Sequence, residues 1–136
     1  MFFFILVPTN NNIFQLTTTN VATISVEENH IFKDSHLKYK EMELEDLNEI
    51  ITLYNEYKSN QLVNKILIAG SGRTSLTQEA REVAESTEYD TLAEAIVVKS
   101  LSERIIANFY FSTKKKSYPI KVFTCEKNAI QWLNNL

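Results

Sequence analysis

Three short apolar runs constrain this chain more than any other feature: Lys65-Ile-Leu-Ile-Ala69, Glu94-Ala-Ile-Val-Val98 and Pro119-Ile-Lys-Val-Phe-Thr124. A strand wetted on one face alternates apolar with polar residues. An unbroken apolar run suits a strand covered on both faces, as in a parallel sheet between helix layers. Each run is followed by a helix-start signal. Ser75-Leu-Thr-Gln78 and Ser100-Leu-Ser-Glu103 have the spacing of capping boxes, and Thr124 stands where it would cap a final helix. The helices read from these starts carry Leu76, Ala80, Val83 and Ala84, then Leu101, Ile105, Asn108 and Phe109, then Ala129, Ile130, Leu133 and Leu136.

Upstream the period is two instead of 3.6. Phe14, Leu16 and Thr18 alternate with Gln15 and Thr17, and Ala22, Ile24 and Val26 alternate with Thr23 and Ser25. The break at Asn20 makes this an antiparallel pair, and His30-Ile31-Phe32 adds a short third strand after Glu28-Asn29. Leu44, Leu47, Ile50 or Ile51, Tyr54 and Tyr57 then recur at three- and four-residue steps, the stripe of a helix about four turns long. The expectation is an α/β fold with a mixed sheet of about five or six strands: an opening antiparallel hairpin, then alternating strands and helices, four helices in all.

With 136 residues the chain is expected to form one domain over 12–136 behind an N-terminal extension, 1–11. The apolar start Phe2–Val7 is too short for a signal core or a membrane span before Pro8. Fourteen basic against 17 acidic residues give a net charge of −3, which argues against nucleic acid as a partner. The only basic run is Lys114-Lys115-Lys116, read as a solvated helix end. A single cysteine, Cys125, excludes an internal disulfide and a cysteine-rich metal site and fits a reducing compartment, hence a cytoplasmic expectation.

Candidate sites are few. Gly70-Ser71-Gly72-Arg73, between a strand and a helix, could hold an anion on backbone N–H groups, with Arg73 as its side-chain partner. It lacks the third glycine of a dinucleotide fingerprint and the ending of a P-loop, and reads first as a tight turn. Ser75 could accept phosphate or serve only as a helix cap. Arg104 and Asn108, four apart on one helix, share a face that could meet a partner or a ligand's carboxylate. His30 and His36, with Asp34 between them, read as a surface loop, since a zinc site needs more ligands. Trp132 and Cys125 read as packing residues. No catalytic group, metal site or cofactor is expected.

The element order, together with Arg104-Ile-Ile-Ala-Asn108-Phe-Tyr-Phe111, Pro119–Thr124, Ala129-Ile-Gln-Trp132-Leu133 and Glu79-Ala80-Arg81, resembles the STAS domain. This module is shared by sulphate transporters and bacterial anti-sigma-factor antagonists, and the second half is similar to a bacterial antagonist-like branch of unassigned function. Antagonists of this fold carry a phosphorylated Ser or Thr in an Asp-Ser-Ser/Thr-Gly-like turn. Here the corresponding Ala69-Gly-Ser-Gly-Arg-Thr-Ser75 has hydroxyls at Ser71, Thr74 and Ser75 but no preceding acid. The resemblance implies a non-catalytic regulatory module that presents a helix face and the 69–75 turn to a partner protein or to a second copy in a homodimer. The alternative is a carrier of a small apolar ligand or lipid, its pocket lined by Phe109, Tyr110, Phe111 and Tyr118. A third reading is an enzyme acting on a phosphorylated substrate held at Gly70–Arg73.

Overall fold

In the main sheet the strands up to residue 36 pair antiparallel and those after Leu44 pair in parallel, so the sheet changes character at one strand. The computed structural model describes residues 3–6, 13–37, 40–70, 75–105, 108 and 116–136. Strands β1 (Phe3–Leu6), β2 (Ile13–Thr18), β3 (Ala22–Glu27) and β4 (Ile31–His36) are antiparallel neighbours in that order. The third strand read from the sequence is thus six residues long, not the short His30–Phe32 piece. Beyond it, β4, β6 (Lys65–Gly70), β8 (Glu94–Val97) and β9 (Ile120–Phe123) pair in parallel. Among the described residues the sheet has seven strands in the order β1-β2-β3-β4-β6-β8-β9, and β4 is the pivot between its two halves. A separate two-stranded sheet joins β5 (Glu41–Met42) to β7 (Ser75–Leu76).

Among the described residues four helices accompany the sheet: α1 (Leu44–Ser59), α2 (Gln78–Ser86), α3 (residues 101–105) and α4 (Glu126–Asn134). Period-two geometry divides the core between the sheet's faces. Ala22, Ile24, Val26, Phe32 and Ile66 pack with Leu47, Ile50, Leu53, Tyr54 and Tyr57 of α1 and Ala80 of α2. Ile31, Leu67 and Ala95, one residue out of phase, pack with Ala129 and Leu133 of α4. The first face is aromatic at its centre, where Phe32 meets Tyr54 edge-on at 5.2 Å and Tyr54 meets Tyr89 at 5.1 Å. The Tyr54 hydroxyl donates to the Asp90 carbonyl at 2.6 Å, so its buried oxygen is satisfied.

Two helix starts differ from expectation. Ser75 does not cap α2: it lies in β7, and Thr77 accepts from the Ala80 N–H at 3.2 Å instead. Pairing of β7 with β5 holds the backbone extended for two residues more than a box at Ser75 would allow. At α4 the capping position is Cys125, not Thr124, and its side chain makes no capping hydrogen bond. Cys125 is exposed, not packed under the helix. At α3 the Glu103 N–H donates to Ser100 Oγ at 3.2 Å and the Glu103 carboxylate accepts from the Lys99 N–H at 2.9 Å.

Candidate functional site

Crossovers β4→β6→β8 through α1 and α2 place the parallel strand ends beside the two helices, where open α/β sheets commonly form ligand crevices. A cavity of about 520 Å³ lies there, within the range of small-molecule sites. Met42, Leu47, Ile68, Leu76, Ala84, Tyr89 and Ile96 supply an apolar wall, and β4, α2, β8 and α3 bring charged groups to it.

Register explains which charges enter. Across the face toward α1 and α2, Ile24, Asp34, Ile68 and Ile96 form one row of cross-strand neighbours. The adjacent row is Val26, Phe32, Ile66 and Glu94. Two carboxylates therefore stand among isoleucines, Asp34 only 5 % and Glu94 only 4 % exposed. His36, two residues along β4, lies opposite Gly70, where an added Cβ would meet open space.

His36 Nε2 and Asp34 Oδ2 are 3.0 Å apart, a buried ion pair when the imidazole is protonated. Burial alone would lower the His36 pKa, but the charge and hydrogen bond of Asp34 outweigh it and hold the imidazole above its ordinary value of 6.5. Burial pushes the Glu94 carboxyl up; Lys116 and the Tyr118 hydroxyl oppose that rise, and the Asp34 charge adds to it. Burial and the charges of Glu94 and Asp34 push the Tyr89 hydroxyl far up, and burial with Glu94 does the same at Tyr118. Lys116 is anchored where it is: Nζ donates to the Ala84 carbonyl at 3.0 Å and lies 6.0 Å from the ring centroids of both Tyr89 and Tyr118. Among the described residues Asp34 Oδ1 and Glu94 Oε2 are buried without a hydrogen-bond partner. The Tyr118 hydroxyl stands beside the Glu94 carboxyl without closing a well-formed bond to Oε2.

The sequence reading of Asp34 and His36 as surface loop is corrected here: both belong to β4 and line the cavity. His30 is exposed in the β3–β4 turn, with a φ of 64°. Polar residues at Lys33–His36 hid the strand, because its apolar signal is confined to Ile31 and Phe32. The missed signal was Glu94, an acid opening an otherwise apolar run. Gly70 ends β6 and Ser75 starts β7, while Ser71, Gly72, Arg73 and Thr74 lie outside the described residues. Arg104 and Asn108 are exposed in or after α3, and the cavity does not include them. Of the four aromatics expected to line an apolar pocket, Phe109, Tyr110 and Phe111 lie outside the described residues; Tyr118 is buried beside Glu94.

Among the described residues no cluster of three or more His, Cys, Asp or Glu could hold a metal ion, and no helix is long and apolar enough to cross a membrane. A wider groove of about 760 Å³ between the starts of α1 and α2 is lined mostly by exposed polar residues, among them Glu43, Glu45, Glu79 and Glu82, and contains no buried charge.

Sheet order, the antiparallel opening and the helix layers define a STAS-like α/β protein. A solved structure similar to this chain is an uncharacterized protein of the DUF3478 family with a SpoIIAA-like fold from Shewanella loihica PV-4. The two share 14 % identity, with a TM-score of 0.58 over 85 % of this chain and 98 % of that one. The chain itself belongs to the family described as Domain of unknown function (DUF7793), which it matches over residues 24–136. None of the curated proteins matches it.

Proposed function

We propose that this chain is a non-catalytic, cytoplasmic binding module whose cavity takes a small ligand with an apolar body. The observation that carries this reading is the apolar chamber at the strand ends, walled by Met42, Leu47, Ile68, Leu76 and Ile96 and furnished with a few buried polar groups. A chamber of this kind favours burial of hydrocarbon, which stabilises a complex by about 0.8 kcal/mol per methylene. It is the carrier alternative of the sequence reading, relocated from the aromatic run at 109–111 to the strand ends.

Ala84 on α2 lines the chamber, so Ala84→Trp fills it from a helix surface that tolerates a large side chain better than the sheet does. Titration with Nile red, a neutral apolar dye, reads occupancy. The wild-type chain binds the dye saturably and Ala84→Trp weakens it by about tenfold. Circular dichroism confirms that the variant is folded, and Ala84→Leu supplies a smaller, graded block. Equal dye binding by all three folded proteins overturns the reading.

A regulatory role through a partner protein keeps one supporting observation. Leu101 and Ile105, four apart on α3, are 63 % and 61 % exposed beside Arg104. Replacing both with Ser abolishes partner capture on this reading and leaves dye binding unchanged.

A further inference from the structure

Resting on the cavity reading above, we infer that the ligand carries a protonated amine on its apolar body, received at the buried carboxylates Asp34 and Glu94. Both carboxylates line the chamber, both are more than nine-tenths buried, and each keeps one oxygen with no hydrogen-bond partner among the described residues, Oδ1 on Asp34 and Oε2 on Glu94. Ionised, as a bound cation would hold them, the two carboxylates only accept, so what they then demand is donors. An ammonium brings three donors on one centre and a charge opposite to both acids.

The other charged groups argue the same way. Four carboxylates line the chamber, Asp34, Glu85, Glu94 and Glu103, against three basic groups, His36, Arg81 and Lys116. Groups of both signs are engaged: His36 is paired to Asp34, Lys116 donates to the Ala84 carbonyl and lies against two tyrosine rings, and Glu103 accepts from the Lys99 N–H. Arg81 on α2 and Glu103 on α3 are exposed, which leaves Asp34 and Glu94 as the buried acids of the wall. An anionic head group would enter a site already rich in buried acid, and Coulomb repulsion at low local dielectric would oppose it. A neutral alcohol would satisfy one acceptor at most with its single donor.

Displacement of Nile red by decylamine, decanol and decanoate, each below its micelle concentration, separates head group from body. Decylamine competes about tenfold more strongly than decanol, and decanoate competes weakest. Glu94→Gln and Asp34→Asn each remove the amine's advantage while decanol still competes as in the wild type. Equal competition by all three compounds overturns the head-group inference and leaves the cavity reading standing. A preference for decanoate, or an amine advantage that survives in both folded variants, also overturns it. If the dye binds and none of the three displaces it, the dye sits elsewhere and both readings fall.

Discussion

Asp34 and Glu94 occupy sheet positions whose neighbours in the same rows are Ile24, Ile66, Ile68 and Ile96, side chains that offer no hydrogen bond. Burying a charge in such surroundings is costly unless it is paired and its lone pairs are met. Asp34 has His36 as its counter-charge at 3.0 Å, whereas burial leaves Glu94 with a raised pKa despite Lys116. His36 also has a raised pKa, so in both groups the folded state binds its proton more tightly than the unfolded chain. Stability from each is full below the unfolded value, 4.5 for Glu94 and 6.5 for His36, and is lost as pH rises through the higher folded value. Thermal melts across the acid-to-neutral range should therefore show the empty protein losing stability upward from about pH 5 on account of these two groups. Glu94→Gln should remove the lower part of that decline and melt above the wild type at neutral pH. A wild-type melting temperature that rises throughout this range, with no gain from Glu94→Gln, would contradict the assignment. Neither pairing was legible in the sequence: a lone acid in an apolar run and a His two residues from an Asp carry no periodic signal until register places them together.

Helix starts show how local chemistry and pairing compete. Ser75-Leu-Thr-Gln78 contains two hydroxyl residues able to cap, and spacing to a Gln at the third following position favours the first. Pairing of Glu41–Met42 with Ser75–Leu76 decides for the second, because a paired residue is extended and Thr77 is the next free hydroxyl. Thr77→Ala should destabilise the protein by about 1 kcal/mol, while Ser75→Ala, at an exposed position, should change it by less than about 0.5 kcal/mol. Urea denaturation of the two variants distinguishes them; a larger effect at Ser75 would restore the original cap. The helices over 44–59 and 126–134 were readable because their stripes are long and regular. The apolar pair Leu101 and Ile105 repeats at helical spacing too, yet it is exposed: spacing reports that a face is apolar, not what lies against it.

At the scale of the molecule, the alternation of strands and helices after Leu44 was visible because parallel strands buried on both faces are apolar throughout. Leu67 is such a residue, fully buried under α4 while Ile66 and Ile68 face the other layer. Leu67→Ala should cost about 3 kcal/mol, whereas Leu92→Ala, at a position 55 % exposed, should cost less than about 0.5 kcal/mol. Chemical denaturation measures both, and comparable losses would contradict the two-faced core. The cavity was not visible, because it arises from β4, whose hydrogen bonds run antiparallel to β3 and parallel to β6. Slipping that strand by one residue would carry Asp34 away from the chamber and present Lys33 in its place. The charge of the chamber is thus wired to strand alignment: sliding one strand, without any acid or base being replaced, would trade one of its two buried acids for a cation.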